Sequence, residues 1–448
     1  MKNNSPVAVR FAPSPTGFFH IGSVRTALFN FLFARHYGGQ FVLRIEDTDV
    51  ARSKKEYEDN ILENMRWLGL EWDVFARQSE RADIHATELQ KLLASGAAYV
   101  SKEKVEKEGD RGEVIRLRNP GTIVTFHDEI RGDISVDTTD LGDFIIARSP
   151  TEPLFHFSVV VDDFLMGITH VIRGEDHISN TPRQILIQEA LGAPRPIYAH
   201  LPLILAADRS KLSKRKHGER VALSYYKQAG FLRAALINYI ALLGWNPNQN
   251  EREIFSLDEL IHLFDIAHIQ KAGAIFNEEK LRWFNREYMR TQPPELLLQD
   301  IVKVLSKRYF AGAVETLAPK IVSSIRERVS VTSDVETMMD AGEFSYFFET
   351  PVLDAKKIIW KDTSTETTRA HLEKIISFVT TLTSDFDAEK AKMVLWPYAE
   401  HQGRGAVLWP MRYALSGREK SPDPFTLAAI LGKEETIKRL KAALVAIS

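Results

Sequence analysis

A parallel, doubly wound α/β sheet, interrupted by an α+β insertion and followed by an all-helical C-terminal half, is the fold class this sequence predicts. Three observations carry it. The chain opens strand–helix–strand–helix with short turns, a β-rich stretch breaks that alternation between about 86 and 155, and beyond about 223 almost only helical periodicity remains. At roughly 150 residues per domain, 448 residues suggest about three domains. Apolar residues at 44% and charged residues at 26% exclude a mainly disordered chain. No apolar stretch approaches the roughly 18 residues of a bilayer span, so no membrane partner is expected. Cysteine is absent, which excludes disulfides, thiolate nucleophiles and thiolate zinc sites. MKNNSPVAVRFA carries neither an apolar secretory core nor an Arg-rich presequence, and the expected compartment is cytoplasmic. Lys plus Arg number 58 against 60 Asp plus Glu, a net charge of -2. That argues against coating long nucleic acid by bulk charge and leaves room for a localised basic face.

Taken in order, Val7–Phe11 is a short β-like run, and APSPTG supplies turn chemistry at Pro13, Pro15 and Gly17. Ile21, Val24, Leu28, Phe31 and Leu32 form the stripe of a helix closed by Gly38-Gly39. Phe41, Leu43 and Ile45 alternate as a strand ending in EDTD, and a second helix carries Tyr57, Ile61, Met65 and Leu68 on one side. Such sheets bind ligands at the carboxyl ends of their strands, where the loops at 12–22 and 46–49 would both lie. After a helix-like piece and the charge-dense SKEKVEKEGDRGE come β-rich segments at VIRLR, TIVTF, DISV and DFIIA. The alternation resumes with VVVDD and THVIRGEDH, then a helix announced by Asn180 and Pro182 and ended by Gly192. YAHLPLIL is a further buried strand that leads directly into DRSKLSKRKHGER.

Four segments carry candidate chemistry. In FAPSPTGFFHIGS a strand turns into a helix whose N-terminus, with His20 and Gly22, favours a phosphate; a plain tight βα turn is the other reading. In RIEDTD a carboxylate at a strand end can receive an ammonium, or Asp47, Thr48 or Asp49 can cap the next helix. In IRGEDH, Arg173 can form a bidentate pair with a carboxylate ligand, or an internal ion pair with Glu175 or Asp176. Residues 205–220 hold six basic side chains against two acids, directly after a core strand. Such a loop can fold over a polyphosphate and neutralise charge moving to a leaving group; otherwise it is a solvated face.

HIGS at 20–23 resembles the HIGH signature, and KLSKR at 211–215 the KMSKS signature, of the class I aminoacyl-tRNA synthetases. RFAPSPTG, RIEDTD, VVDD, IRGEDH and NTPRQ resemble the glutamyl-tRNA synthetase subfamily. RAALINYIALLGW, FNEEKLRWFN, WPMRYALSG and LAAILGKEE are similar to its bacterial form. The resemblance is densest at residues 8–50, 156–220 and 223–288 and sparse from about 290 to 400.

The resemblance implies a Rossmann-type catalytic domain at 1–85 and 156–222, with an α+β insertion at 86–155 that binds the tRNA acceptor end. A helical stem-contact region at 223–320 and a helical anticodon-binding domain at 321–448 would follow. It implies ATP-dependent activation of L-glutamate and its transfer to tRNA(Glu), by a monomer using ATP with Mg2+. Arg10 matches the arginine that pairs with the substrate's side-chain carboxylate, Ser14 and Glu46 match groups around its ammonium, and Arg173 matches a substrate-binding arginine. Ala12 and Phe155 complete the glutamate set. His20, Gly22, Lys211, Ser213, Lys214 and Arg215 match the ATP site, with His20, Lys211 and Lys214 stabilising charge on the phosphates. Expected tRNA contacts are Arg52, Arg326, Arg328, Trp409 and Arg412. The last fifty residues hold eight basic against five acidic side chains, and Trp409 with Arg412 could stack on unpaired bases there or belong to the core. Ser23 replaces the second His of HIGH, and Phe155 stands where a substrate-contacting Tyr is expected. The insertion lacks the cysteines that bind zinc in some relatives, so no structural zinc is expected. A glutamyl-transfer enzyme acting on a modified tRNA base would lack the long C-terminal half, and a silent tRNA-binding paralogue would not need the intact signature residues.

Overall fold

A computed structural model of the chain describes residues 6–104, 112–247 and 251–448, and the side chain of Lys214 lies outside the described part. So does most of the charge-dense SKEKVEKEGDRGE segment. The chain divides into two compact units, Met1–Tyr288 and Met289–Ser448.

The first unit begins with β1 (Ala8–Phe11), α1 (Ile21–His36), β2 (Gln40–Ile45), α2 (Lys55–Leu68), β3 (Val74–Arg77) and α3 (Ala82–Ser95). There follow β4 (Ala98–Lys102), β5 (Glu113–Leu117), β6 (Ile123–Asp128), β7 (Gly132–Asp137), β8 (Phe144–Ser149) and β9 (Glu152–Pro153). The alternation returns with α4 (Phe155–Leu165), β10 (His170–Gly174), α5 (Thr181–Leu191) and β11 (Ile197–Leu201). One seven-stranded sheet runs in the order β3-β2-β1-β10-β11-β6-β7, parallel throughout except for the closing β6–β7 hairpin. β1 is buried on both faces, as a central parallel strand must be. The order steps outward from β1 in both directions, towards β2 and towards β10. That is a topological switch point, and the loops beyond the strand ends there form the natural crevice.

Two details differ from the sequence reading. The interval 86–155 contributes to two sheets: β4, β5, β8 and β9 form a separate antiparallel sheet, whereas β6 and β7 extend the main one. β6 alternates buried Val124, Phe126 and Asp128 with exposed neighbours, and its apolar pair packs into the same core as Ile185 and Tyr198. Residues of β5 and β8 pack into that same core from the antiparallel sheet. VVVDD, met where a strand was expected to resume, is helical and lies in α4. A short apolar run buried all round carries no period, and burial among sheet and helices decides it.

β12 (Ile204–Leu205) pairs with β13 (Ala274–Ile275), and between them lie α6 (Lys214–His217), α7 (Leu223–Gln228), α8 (Arg233–Ala241) and α9 (Leu257–Leu263). α10 (Glu278–Thr291) runs through the boundary into the second unit.

That unit is helical throughout its described elements: α11 (Pro294–Leu305), α12 (Ala311–Arg326), α13 (Ser333–Asp340), α14 (Ser345–Phe348) and α15 (Ala355–Ile358), then α16 (Thr365–Thr381), α17 (Ala388–Gln402), α18 (Arg404–Ser416), α19 (Pro424–Leu431) and α20 (Lys433–Ala446). Buried Arg439 of α20 donates to the carbonyls of Tyr346 at 2.5 Å, Leu415 at 2.7 Å and Glu349 at 3.2 Å. These carbonyls lie in or just beyond the last turns of α14 and α18, where helix carbonyls run out of intrahelical donors. No helix among the described residues is long and apolar enough to cross a membrane.

Candidate active site

A cavity of about 460 Å³ opens at the switch point. Arg10, Ala12, Ser14, His20, Gly22, Glu46, Phe155, Arg173, Lys211 and Ser213 all line it. Arg10 comes from β1, Glu46 follows β2, and Arg173 belongs to β10, so three adjacent strand ends converge on one point. Of the expected ATP-site residues, Arg215 does not line it and the side chain of Lys214 lies outside the described part; Arg52, an expected tRNA contact, lies elsewhere. Arg52 is exposed and bonds Asp49 at 2.6 Å, and Arg215 is exposed on α6, which Lys214 begins.

The inner end of the cavity is a network of buried charge. Arg10 presents Nε to both oxygens of Asp163 at 3.2 Å. Arg44, wholly buried, donates Nη1 to Asp163 at 2.8 Å and Nη2 to Glu46 at 3.1 Å. Asp162 lies 3.8 Å from the Arg44 Nε and is held by Arg81 at 2.6 Å and His85 at 2.8 Å. Burial pushes the Glu46 carboxyl up, against the pull of Arg44 and Arg10. Burial also acts on Asp163, but Arg10 and Arg44 outweigh it and hold that carboxyl below its usual range. Arg173 lacks a carboxylate partner: Nε donates to His200 at 3.1 Å and Nη2 to the Thr181 hydroxyl at 2.9 Å. Burial, with Arg10 adding repulsion, lowers its pKa to about 10, so it stays charged at neutral pH. Leaving Asp162 with Arg81, three arginines face two carboxylates at this end, and buried Arg25, which also lines the cavity and donates to the carbonyls of Leu243 and Pro202, adds a further cation.

The outer end is formed by the N-terminus of α1 and the loop that carries Lys211. His20 is the N-cap of α1: its Nδ1 accepts the Ser23 backbone N–H at 3.1 Å, which places the ring proton on Nε2. Crowding by the surrounding protein, then Lys211, lowers its pKa, so the ring is neutral. The first turn of α1 has no acidic residue. A Cβ on Gly22 would sit 3.2 Å from the His20 ring, so glycine lets that ring lie against the helix end. Lys211 pairs with Asp176 at 3.0 Å across the cavity mouth. The polar groups of β12 and the 206–211 turn hold the signature loop, with Leu212 N–H donating to Ile204 O at 2.9 Å.

Sequence reasoning missed Arg44, Asp163, Asp162 and His200. Arg44 was within reach, because residues i and i+2 of a strand share a face and Arg44 stands two before Glu46. Asp163 lay inside a quoted motif without a role, and nothing local ties it to Arg10.

In the second unit, Trp409 is half-buried: its indole N–H donates to Lys357 O at 2.8 Å, Trp360 lies 5.1 Å away and the Arg412 guanidinium covers its ring at 4.8 Å. Arg412 also donates to Glu419 O at 2.8 Å. Arg326 donates to Arg290 O, and Arg328 pairs with Glu343.

Residues 6–113 and 101–283 match the family described as tRNA synthetases class I (E and Q), catalytic domain, and residues 293–444 match the anticodon binding domain. Fold, cavity and signature loops together define a class I tRNA synthetase. The glutamate–tRNA ligase of Aquifex aeolicus is 41% identical over 99% of this chain and 100% of its own, and that of Hydrogenobaculum sp. is 42% identical over 97% and 99%. A crystal structure of a glutamate tRNA ligase from Elizabethkingia meningosepticum, in complex with its amino acid, superposes with a TM-score of 0.87 at 34% identity, covering 99% of this chain and 100% of that one. The chain belongs to the glutamate–tRNA ligase family.

Proposed function

We infer that the chain joins L-glutamate to the 3′ end of tRNA(Glu) in two steps within this cavity. In the first, a glutamate α-carboxylate oxygen attacks the α-phosphorus of ATP, the bond to the β-phosphate bridging oxygen breaks, and pyrophosphate leaves. In the second, the terminal ribose hydroxyl attacks the carbonyl of the mixed anhydride and AMP departs. Neither step needs an enzyme nucleophile, so positioning and charge stabilisation carry the rate.

Arg10 and Arg173 take the two carboxylates, while Glu46 and the Ser14 hydroxyl take the ammonium. His20 and the N-terminus of α1 receive the phosphates, and Lys211, with Lys214, Ser213 and Arg215 of the same loop, follows the charge that gathers on pyrophosphate. Mg2+ arrives on the triphosphate; among the described residues no group of three or more His, Asp or Glu side chains is placed to hold a metal. The monomer suffices, because one chain supplies every group named. The 86–155 interval serves the acceptor end, with Arg52 beside it, and 223–320 serves the stem. Residues 321–448 serve the anticodon, where the Trp409–Arg412 pair offers a flat cationic surface for a base. Arg326 and Arg328 are already engaged with Arg290 O and Glu343, so a role for them requires those bonds to exchange.

The observation that carries the reading is the meeting of Arg10, Glu46 and Arg173 in one cavity with His20 and Lys211. Aminoacylation of purified glutamate and glutamine tRNAs with each amino acid tests it, with ATP–pyrophosphate exchange measured with and without tRNA. Glutamate is expected to be charged and glutamine rejected, because a neutral amide leaves a buried arginine poorly paired at about 1–3 kcal/mol or more. Absence of exchange under every condition would make the chain a silent RNA binder.

A further inference from the structure

The Arg173 side chain is oriented by two residues that do not line the cavity. His200, in β11, is fully buried, and its Nδ1 lies 2.6 Å from Oδ2 of Asp128 at the end of β6. A carboxylate at that distance accepts a proton from Nδ1, so the imidazole carries its hydrogen there and keeps a lone pair on Nε2. That lone pair faces the Nε–H of Arg173 at 3.1 Å. With Nη2 on Thr181 as well, two of the three guanidinium nitrogens are fixed and the third is left to the cavity. Asp128 is itself immobilised: its carboxylate accepts the backbone N–H groups of Ile130 at 3.0 Å, Arg131 at 2.9 Å and His200 at 3.0 Å.

We propose that Asp128 and His200 are positioning residues for the amino-acid site. On this assignment the β6 edge strand sets the orientation of Arg173 through the tautomer of one buried histidine. The proposal rests on the reading of Arg173 as a glutamate-binding arginine. Groups facing His200 come from every neighbouring strand: Asp128 from β6, Arg173 from β10, Arg10 from β1, with His177 beyond β10 and Tyr198 on β11 itself. Burial, with Arg173 and Arg10, lowers the His200 pKa against the opposing pull of Asp128. A neutral ring is what an acceptor for Arg173 requires. The arrangement also explains why β6 leaves the insertion sheet, since only a strand paired with β11 brings a carboxylate beneath His200.

Aminoacylation kinetics of the full chain with saturating tRNA(Glu) test this with three variants and one control. Asp128→Asn keeps an oxygen for the backbone donors but presents N–H₂ to Nδ1, which drives the ring proton to Nε2, donor against donor at Arg173. This variant and His200→Leu are expected to raise the KM for glutamate about 5- to 100-fold, the range for an unpaired buried polar group. The KM for ATP is expected to stay within about twofold and kcat to change less than the glutamate KM. His200→Gln sets an amide oxygen near the Nε2 position and is expected to restore most of the glutamate affinity. Nitrogen-15 spectra of labelled histidine are expected to show the His200 proton on Nδ1 in the parent and on Nε2 in Asp128→Asn. Unchanged glutamate KM in both variants, or equal losses for ATP and glutamate, would overturn the assignment. Arg173→Ala separates the two levels: if it leaves the glutamate KM unchanged, the reading of Arg173 itself fails.

Discussion

Replacing Arg44 by methionine removes the cation at the centre of the charge network while keeping much of its volume. Arg44 is fully buried and bonds Asp163 at 2.8 Å and Glu46 at 3.1 Å. After its loss Asp163 keeps Arg10, and Asp162 keeps Arg81 and His85. Glu46 keeps only the longer-range pull of Arg10, since its carboxylate makes no other hydrogen bond among the described residues. Stranding one buried partner of an ion pair costs about 3–5 kcal/mol. At roughly 2–4 °C per kcal/mol for a unit of this size, the melting temperature of the first unit is expected to fall by about 6–20 °C at pH 8. The sign of the pH effect follows from Glu46. Its pKa is already raised by burial, and without Arg44 it rises further, so the folded variant binds a proton that the unfolded chain releases near about 4.3. The deficit is therefore small below the raised folded value of the parent and grows by about 1.4 kcal/mol per pH unit above it, until the still higher folded value of the variant is passed. Calorimetry of parent and variant at pH 5.5 and pH 8 reads both numbers. A fall under about 2 °C at pH 8, or one of equal size at the two pH values, would refute the account of Arg44 as the counter-charge of Glu46.

Two further substitutions address the rest of the chain. Lys214→Ala is expected to lower the rate of glutamyl-adenylate formation at least about tenfold, with glutamate binding nearly unchanged, because the loop acts on charge that develops in the transition state; equal losses in pre-steady-state kinetics would remove that role. Trp409→Ala is expected to raise the KM for tRNA about 5- to 100-fold, the value of one base stack, and to leave the KM values for ATP and glutamate alone; unchanged tRNA affinity would return Trp409 to a packing role with Lys357 O and Trp360.

The strand–turn–helix opening was legible because its signals are local: alternating apolar residues, Pro and Gly at the turn, and a helical stripe after His20. The same holds for Arg10, Glu46 and Arg173, each at a predicted strand end, which any doubly wound sheet gathers at one edge. What could not be read was long-range pairing. Asp163 reaches Arg10 across 153 residues, and Asp128 reaches His200 across 72. The 3.6 and 2.0 periods say which face a residue takes, not which partner meets it there. β6 illustrates the point, since its alternation was visible but its choice of sheet was not. Arg326 and Arg328 show the converse: a basic side chain in the helical half looks available in the sequence, yet one donates to a backbone carbonyl and the other meets a glutamate.

The charge count also bears on why the site needs so many buried groups for one small amino acid. A pocket with only Arg10, Arg173 and Glu46 would hold glutamate's three charges, but each free group would be desolvated alone in the empty enzyme. Arg44 and Asp163 change that. Asp163 holds Arg10 and Arg44 holds Glu46, so each ligand-facing group already has a fixed counter-charge. Arg173 is the exception, with a neutral imidazole and a hydroxyl in place of a carboxylate. Its pKa of about 10 records the resulting cost of keeping it charged. Unmatched positive charge thus sits on Arg173 and on Arg25, which lines the same cavity and donates to backbone carbonyls, and an incoming anion relieves it. Glutamate carries one net negative charge and reduces the surplus; zwitterionic glutamine carries none and leaves it standing. On the proposed reading, selectivity for the acid over the amide is expected to come from the surplus positive charge of the cavity as well as from the arginine proposed to meet the side chain.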